Sequence, residues 1–217
     1  MSLTDEIKRL FGGKTPQMPA ARAARLWSNA EIARLAPLAT GDVINVSAWQ
    51  DEDKAGRHYR DYFAKAASYS LSNYEGWRGE GVRADHVLDL SAPLPAELEG
   101  RFDLVFNHTT LEHVFEFPTA FRNICAMSRD AVMIVVPFMQ HLHGPEDGDF
   151  WRPSPYTLRR FFAASGLTPL YESAGPKGGA IRYLLVFAAR DPEAWAGRLP
   201  RPDHDAIAVL REPLGRR

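Results

Sequence analysis

The chain has 217 residues, of which 45% are hydrophobic and 24% charged, as is typical of one sizeable globular domain. Its 26 basic and 27 acidic residues nearly cancel, so we expect no nucleic-acid partner. No stretch reaches the roughly 18 apolar residues of a membrane span, and the charged first residues are unlike a signal peptide. We therefore expect a cytoplasmic protein without membrane insertion. The single cysteine, Cys125, excludes an internal disulfide and is interpreted as a buried thiol.

Residues 1–41 are predicted to form an N-terminal helical cap. In "ARAARLWSNAEIARLAPLA", apolar residues recur at intervals of three and four around Leu26, Ile32 and Leu35. Such a stripe favours an amphipathic helix. We expect it to cover one face of a sheet.

Residues 42–190 are predicted to form an α/β domain. Short apolar runs, "DVINVSA", "ASYSLSN", "DHVLDL", "FDLVFNH" and "AVMIVVPF", alternate with segments of helical period such as "HYRDYFAKAA" and "PTAFRNICAMSRD". This alternation is typical of a parallel sheet with helices on both faces. "AVMIVVPF" is apolar at every position but one, as expected for a central strand buried on both sides.

The end of this domain has recognisable helix and hairpin signals. Ser154 is a suitable N-cap, Pro155 suits the first helical position, and Gly166 suits the helix end. "TPLYESAG" and "AIRYLLVFAAR", joined by a Gly-rich connection, predict an antiparallel hairpin. Residues 191–217, rich in proline and arginine, are predicted to form an extended tail or a late docking segment.

Three ordered segments resemble a known family. "FDLVFNHTTLEHV", "AFRNICAMSRDAVMIVVPF" and "DFWRPSPYTLRRFFAASGL" are similar to the class I S-adenosylmethionine-dependent methyltransferases, in the group labelled type 11. The resemblance covers roughly residues 42–190. It implies a Rossmann-like seven-stranded sheet, mostly parallel with a C-terminal antiparallel hairpin and helices on both faces. It also implies S-adenosyl-L-methionine as the cofactor.

The resemblance places the cofactor pocket at the carboxyl ends of the strands, where open parallel sheets bind ligands. The residues that it assigns to cofactor binding are Asn45, Ser47, Ala48, Trp49, Asn73, Asp89, Leu90, Asn107 and His108.

Two features of this pocket depart from the family pattern. Ser47, Trp49 and Asp51 stand in the places of the family's alternating glycines, so the glycine loop is degenerate. Asn73 stands where the family has an acidic residue that accepts the ribose hydroxyls, with Glu75 two residues later. An amide oxygen can also accept hydrogen bonds, but without charge assistance.

The loop after the fifth strand contains the candidates for catalysis and acceptor binding. His143 is the predicted general base, because methylation of a hydroxyl benefits from a group that removes its proton. The same histidine could instead be a loop residue or a substrate contact. The residues expected to face the acceptor are His113, Asp149, Trp151 and Arg152. In the alternative interpretation, His113 has a structural hydrogen-bonding role, Trp151 fills the core and Arg152 pairs with an acid.

A metal site is the competing interpretation of this loop. His141 and His143, with Glu146, Asp147 and Asp149, supply imidazole and carboxylate ligands. A solvated acidic loop is the simpler explanation, so we expect no metal.

Two functional hypotheses follow. The leading one is a methyltransferase acting on the hydroxyl of a small molecule or glycan, where the saccharide acceptor rests on analogy with family members that have a "DFWR" segment. The alternative is a non-catalytic methyltransferase-like domain that serves as a binding or scaffold module. A Rossmann dehydrogenase would need a glycine-rich turn after the first strand, which this sequence lacks.

Overall fold

A single seven-stranded sheet organises the protein. The computed structural model describes residues 19–74, 84–144 and 148–212. The strands are β1 (Asp42–Val46), β2 (Ser68–Asn73), β3 (His86–Val87), β4 (Phe102–His108), β5 (Ser128–Met139), β6 (Thr168–Gly175) and β7 (Arg182–Ala189), in the spatial order β3-β2-β1-β4-β5-β7-β6.

Strands β1 to β5 run parallel, whereas β7 is antiparallel to both β5 and β6. The predicted fold class is therefore confirmed, including the antiparallel C-terminal pair. Strand order reverses between β1 and β4, because the chain builds outward from β1 to β3 and then returns to the other side. A crevice opens at such a switch point, beyond the carboxyl ends of the strands.

Two apolar layers enclose the sheet. Along β5, Val132, Ile134 and Val136 face one layer, while Met133 and Val135 face the other. All five side chains are fully buried, as the apolar run predicted. Dispersion and burial on both faces fix the register of this central strand.

The helices flank the sheet. They are α1 (Ala20–Leu35), α2 (Tyr59–Tyr62), α3 (Phe117–Ala126), α4 (Pro155–Ala164) and α5 (Ala206–Arg211). Helix α1 packs against β6 and β7. Helix α4 begins as expected, with Ser154 accepting the N–H of Thr157 at 3.2 Å and Pro155 in the first turn. Gly166, at φ +71°, follows its last turn.

Three predicted elements are shorter than their sequence patterns. "HYRDYFAKAA" gives the single turn of α2, which ends at Tyr62, and β2 begins at Ser68. Helix α3 ends at Ala126 because Ser128 already pairs with Phe102 as part of β5. "DHVLDL" gives a strand of two residues, β3.

Residues 191–212 dock on the sheet. Trp195 is buried and packs edge-on against Phe187, with ring centroids 4.7 Å apart. The buried Arg182 of β7 donates to the carbonyls of Val209 (2.6 Å) and Glu212 (2.9 Å), which holds the end of α5. The division into cap, domain and tail stays a prediction, and residues 1–18 and 213–217 lie outside the described residues.

Among the described residues, no helix is both long enough and apolar enough to cross a membrane. Cys125 is buried, and that burial raises the pKa of its thiol to about 12. The thiol is therefore protonated and unreactive at neutral pH.

Candidate functional site

A cavity of about 770 Å³ lies over the carboxyl ends of β1 to β4. Much of its wall comes from the β1 loop (residues 47–58) and from residues 109–116 after β4. The β5 loop (residues 140–154, of which 145–147 lie outside the described residues) contributes His143 and Phe150. The sequence-predicted residues that line the cavity are Asn45, Ser47, Ala48, Trp49, Asn73, Asp89, Leu90, His108, His113 and His143.

The β1 loop has a left-handed backbone at alternating residues. The φ angles are 58° at Ser47, 50° at Trp49 and 59° at Asp51, the three places where the sequence resemblance predicts glycine. A non-glycine residue in this region carries a strain of about 1–2 kcal/mol. The loop thus has a conformation that glycine adopts freely, with side chains added to it.

Asp51 anchors the β1 loop to the sheet. Its Oδ1 accepts from Nδ2 of Asn45 (2.8 Å) and from the hydroxyl of Tyr69 (2.7 Å), and its Oδ2 accepts from the backbone N–H of Arg60 (3.1 Å). Asp51 and Asn45 are both buried. The amide N–H of Asn45, predicted to serve the cofactor, is consequently directed at this carboxylate.

Asp53 closes the second half of the β1 loop. Its Oδ1 accepts the backbone N–H groups of Ala55 (2.7 Å) and Arg57 (3.0 Å), and its Oδ2 accepts the hydroxyl of Tyr62 (2.7 Å). Burial opposes its ionisation, but these hydrogen bonds outweigh that penalty, so the pKa of Asp53 is lowered. The carboxylate fixes a backbone that contains few glycines.

Asn73, at the end of β2, ties the same loop to the neighbouring strand. Its Oδ1 accepts the backbone N–H of Trp49 at 2.6 Å, and its Nδ2 donates to the carbonyl of Trp49 at 3.0 Å. Ribose hydroxyls would therefore have to share this amide with the loop backbone.

The other predicted cofactor residues differ in accessibility. Asp89 is exposed, and its Oδ1 accepts the N–H of Ser91 at 2.8 Å, as in a turn cap. No backbone N–H of the described residues donates to its second oxygen. Asn107 does not line the cavity: it is fully buried, and its Nδ2 donates to the carbonyl of Val46 at 2.9 Å.

Helix α1 supplies a cation to the cavity that the sequence patterns did not identify. One terminal nitrogen of Arg25 donates to Nδ1 of His108 (2.7 Å) and to the hydroxyl of Tyr59 (3.2 Å), and the other lies 3.5 Å from Oγ1 of Thr109. All three partners are uncharged. No local motif marks Arg25, because its role depends on the packing of α1 over the sheet.

His108 is held as a neutral imidazole. Burial and the charge of Arg25 keep the pKa of His108 well below its ordinary value. A guanidinium can only donate, so Nδ1 accepts and Nε2–H donates to Oγ of Ser28 at 3.0 Å. His108 is thus a fixed polar wall rather than a proton carrier.

The β5 loop places the predicted base at the cavity wall. Asp149, with a nearly buried side chain, accepts a bidentate pair of hydrogen bonds from Arg152. The Oδ2 of Asp149 also lies 3.0 Å from the backbone N and 3.2 Å from Nδ1 of His143. Hydrogen bonding from Arg152 holds the pKa of Asp149 well below its usual range. An ionised Asp149 orients His143 with Nδ1–H toward it and Nε2 as the acceptor.

Nε2 of His143 lies 2.8 Å from Nε2 of Gln140, which can donate to it. An acceptor hydroxyl would take the place of this amide. Nε2 of His143 therefore has a lone pair that a hydroxyl group in the cavity could reach.

A buried carboxyl group lies below the two histidines. Glu112, in a 3₁₀ turn after β4, is fully buried, and neither of its carboxyl oxygens has a hydrogen-bond partner among the described residues. Burial raises the pKa of Glu112 to about 7, although His113, Arg152 and Arg25 favour its ionised form. Nε2 of His113 lies 3.8 Å from Oε1 of Glu112, and the His113 ring packs on that of His143 with centroids 4.6 Å apart. No sequence signal indicated that this acid would be buried.

The remaining predicted acceptor residues lie behind the wall. Asp149, Trp151 and Arg152 do not line the cavity; Trp151 donates from Nε1 to the carbonyl of Phe115 at 3.2 Å and packs on Phe117. Within the described part of the chain, no group of three or more His, Cys, Asp or Glu residues is arranged to hold a metal ion. Glu146 and Asp147, part of the metal hypothesis, lie outside the described residues.

No family model and no curated protein matches this sequence. Solved structures do match. Magnesium protoporphyrin IX methyltransferase from Synechocystis PCC 6803, with bound S-adenosylmethionine, has a TM-score of 0.54 at 11% identity, over 87% of this chain and 91% of that one. The 1,6-didemethyltoxoflavin-N1-methyltransferase from Burkholderia thailandensis, with bound 1,6-didemethyltoxoflavin and S-adenosylhomocysteine, has a TM-score of 0.51 at 15% identity, over 81% and 92%. The [4+2]-cyclase SpnF has a TM-score of 0.57 at 12% identity, over 87% and 92%.

The chain therefore has the fold of the class I S-adenosylmethionine-dependent methyltransferases. At these identities the likeness establishes the fold and leaves the chemistry to the site.

Proposed function

We propose that the protein is an S-adenosylmethionine-dependent O-methyltransferase acting on a small-molecule or saccharide acceptor. The observation that carries the proposal is His143, which lies in the wall of a cavity at the strand switch point and is oriented by Asp149 behind it. A base in this position can remove the proton of a hydroxyl group in the same cavity.

The residues of the cavity fit the cofactor in outline. Its volume of about 770 Å³ lies in the range of small-molecule sites. Val87 and Leu90 provide apolar contacts for adenine at the β3 end, and the second oxygen of Asp89 can accept from an exocyclic amine. At the β4 end, Arg25 offers a guanidinium to the carboxylate of the methionine part.

S-adenosyl-L-methionine, when bound, supplies an electrophilic methyl group. The protein's own contribution is to exclude water, to align the acceptor oxygen, and to take up its proton at Nε2 of His143. Alignment within one cavity is the larger part of such catalysis.

A second candidate function is a methyltransferase-like domain that has lost cofactor binding. The observation that favours it is the reciprocal pair between Asn73 and the backbone of Trp49, since this pair consumes the group predicted to bind ribose.

Calorimetric titration with S-adenosylhomocysteine, on protein first freed of any co-purified ligand, separates the two candidates. We expect saturable binding, weakened about tenfold in Trp49→Ala because stacking on an indole contributes on the order of 1–3 kcal/mol per base. Trp151→Ala is the matched control: the two indoles are similarly exposed, 37% and 38%, but Trp151 does not line the cavity. A folded apo protein that does not bind would favour the scaffold function.

A further inference from the structure

The exposed hydrophobic side chains of this protein are concentrated at one place. Eight large hydrophobic residues are exposed in the described part of the chain, and five of them line the cavity: Trp49, Tyr74, Val87, Phe115 and Phe150. Apolar surface in contact with water is unfavourable unless a ligand covers it. Trp49, Tyr74 and Val87 lie on the side of β1 to β3, where we place the adenine. Phe115 and Phe150 therefore remain for contact with the acceptor.

Phe115 and Phe150 are fixed in their exposed positions. Their rings meet edge to face with centroids 5.3 Å apart. The backbone of Phe150 donates to the carbonyl of Glu112 at 2.8 Å, and the carbonyl of Phe115 accepts from the Trp151 indole. A side chain on Gly148 would bring its Cβ to 2.8 Å from the Phe150 ring, so the glycine permits that ring position. The aromatic pair is thus a preformed surface.

The base beside this surface is an imidazole, which Asp149 orients with Nε2 as the acceptor. A phenol, with a pKa of about 10, gives up its proton far more readily than an alkyl or saccharide hydroxyl, which is closer to water at about 15.7. General-base catalysis by an imidazole is most effective for the more acidic hydroxyl.

We propose that the acceptor is a phenol, with its ring against Phe150 and Phe115 and its hydroxyl at Nε2 of His143. This inference rests on the proposed function and narrows its acceptor from small molecules and saccharides to aromatic hydroxyl compounds. The phenolic proton passes to Nε2 of His143. The phenol oxygen bonds to the methyl carbon as the carbon–sulfur bond breaks, and that bonding pair stays on sulfur, giving S-adenosylhomocysteine. The imidazolium then releases its proton to water.

Equilibrium binding tests the proposal without requiring turnover. The probe is 4-nitrophenol, whose ionised form absorbs visibly, titrated into protein saturated with S-adenosylhomocysteine. Methyl glucoside offers hydroxyls without a ring, and 4-nitroanisole offers the ring without the hydroxyl. We expect saturable binding of the phenol with increased ionisation, and no displacement by the glucoside.

Variants assign the binding to the aromatic pair and the ionisation to the base. Phe150→Ala should weaken phenol binding by up to about tenfold, the range expected for one aromatic contact. Tyr156→Ala, an exposed aromatic residue that does not line the cavity, should leave it unchanged. His143→Gln should retain most of the binding but lose the increased ionisation.

The outcomes separate this inference from the proposed function. Displacement of the phenol by methyl glucoside, or equal binding by wild type and Phe150→Ala with thermal melting unchanged, would overturn the phenol acceptor. Binding of S-adenosylhomocysteine without binding of 4-nitrophenol would also overturn it while leaving the methyltransferase function in place. Phenol binding by a protein that does not bind S-adenosylhomocysteine would overturn the methyltransferase function instead.

Discussion

The β1 loop and the β5 loop both follow buried parallel strands and both contain acidic residues, but the carboxylates of the two loops have different structural roles. In the β1 loop, Asp51 and Asp53 are buried and accept hydrogen bonds from neutral donors that shape the loop itself. In the β5 loop, Asp149 lies between Arg152 and a partly exposed histidine, His143. Asp51 and Asp53 fix a backbone, whereas Asp149 orients the side chain of His143.

This difference indicates how a glycine-poor turn can keep a glycine-like shape. The strain of the left-handed residues in the β1 loop is offset by hydrogen bonds that hold the loop: Asp51 accepts from Asn45 and Tyr69, and the backbone N–H groups of Ser47 and Trp49 donate to Ser72 and Asn73. In the β5 loop, Asp149 accepts the backbone N–H of His143 as well as lying beside its ring, and Gly148 leaves room for the Phe150 ring.

The largest effect is expected from breaking the anchor of the β1 loop with Asp53→Ala. The change leaves two backbone N–H groups and the Tyr62 hydroxyl without their acceptor, and hydrogen bonds to a charged group contribute about 1.5–3 kcal/mol each. We expect the free energy of unfolding to fall by about 4 kcal/mol, allowing for partial replacement by water. Denaturant unfolding at pH 7 measures it.

Asp53→Asn is the matched control, because its amide oxygen can still accept from the two backbone N–H groups, whereas the charge and the acceptor of the Tyr62 hydroxyl are lost. Since the pKa of Asp53 is lowered by folding, its contribution is present above the unfolded pKa of about 3.8 and is lost as the pH falls through the folded value. A loss of less than 1 kcal/mol in Asp53→Ala would show that the loop is held by other contacts.

The second prediction concerns Glu112, the buried carboxyl group that lies below His113 and His143. Folding raises its pKa from 4.5 to about 7, so the folded protein binds the proton more tightly than the unfolded chain. Stability is therefore lost as the pH rises from about 4.5 to 7, by about 3 kcal/mol in total from this group. Glu112→Gln should remove that slope, measured by denaturant unfolding at pH 5 and pH 8.

Glu116→Gln, an exposed residue on the cavity rim, controls for the loss of a carboxylate. The comparison uses the slope of the free energy of unfolding against pH. A buried amide lowers the stability of Glu112→Gln by an amount that does not depend on pH. Parallel pH profiles for wild type and Glu112→Gln would mean that Glu112 finds a partner or reaches water in the folded protein.

Much of the fold is encoded locally, and the site only partly. The central strand, the caps Ser154 and Pro155 of α4 and the antiparallel pair β6–β7 are patterns of a few adjacent residues, which sequence reasoning captures. The β1 loop acids, in contrast, look like solvated loop residues in the sequence. Their burial depends on partners such as Tyr69, 18 positions away.

The missed site residues share this long-range origin. Arg25 reaches His108 across 83 positions of sequence, through the packing of α1 on the sheet. Glu112 was overlooked for a related reason, because an acid in a short turn gives no sign that the chain will close over it. The roles predicted for Asp149 and Arg152 concern the acceptor directly, whereas the structure places both behind His143.

The third prediction sharpens the assignment of Asp149 as an orienting group. Arg152→Gln removes the bidentate partner, so the pKa of Asp149 should move back toward its ordinary value, measured by carboxyl NMR titration. The free energy of unfolding should fall by about 1–2 kcal/mol, because the Arg152 side chain is 24% exposed and solvent weakens the ion pair. Arg159→Gln, which breaks a more exposed pair with Glu172, is the control and should cost less. An unchanged Asp149 titration would assign its low pKa to the backbone N–H of His143.

The smallest effect has the opposite sign and tests the β1 loop directly. Ser47→Gly places glycine at a φ of 58°, which relieves strain but adds freedom to the unfolded chain. We expect a net gain of about 0.5 kcal/mol in the free energy of unfolding, since a left-handed L-residue costs about 1–2 kcal/mol. Ala48→Gly, at the neighbouring residue outside the left-handed set, should instead lose about 0.5–1 kcal/mol. If both variants lose stability equally, the side chain of Ser47 stabilises the loop. The left-handed backbone at Ser47 then does not lower the free energy of unfolding relative to glycine.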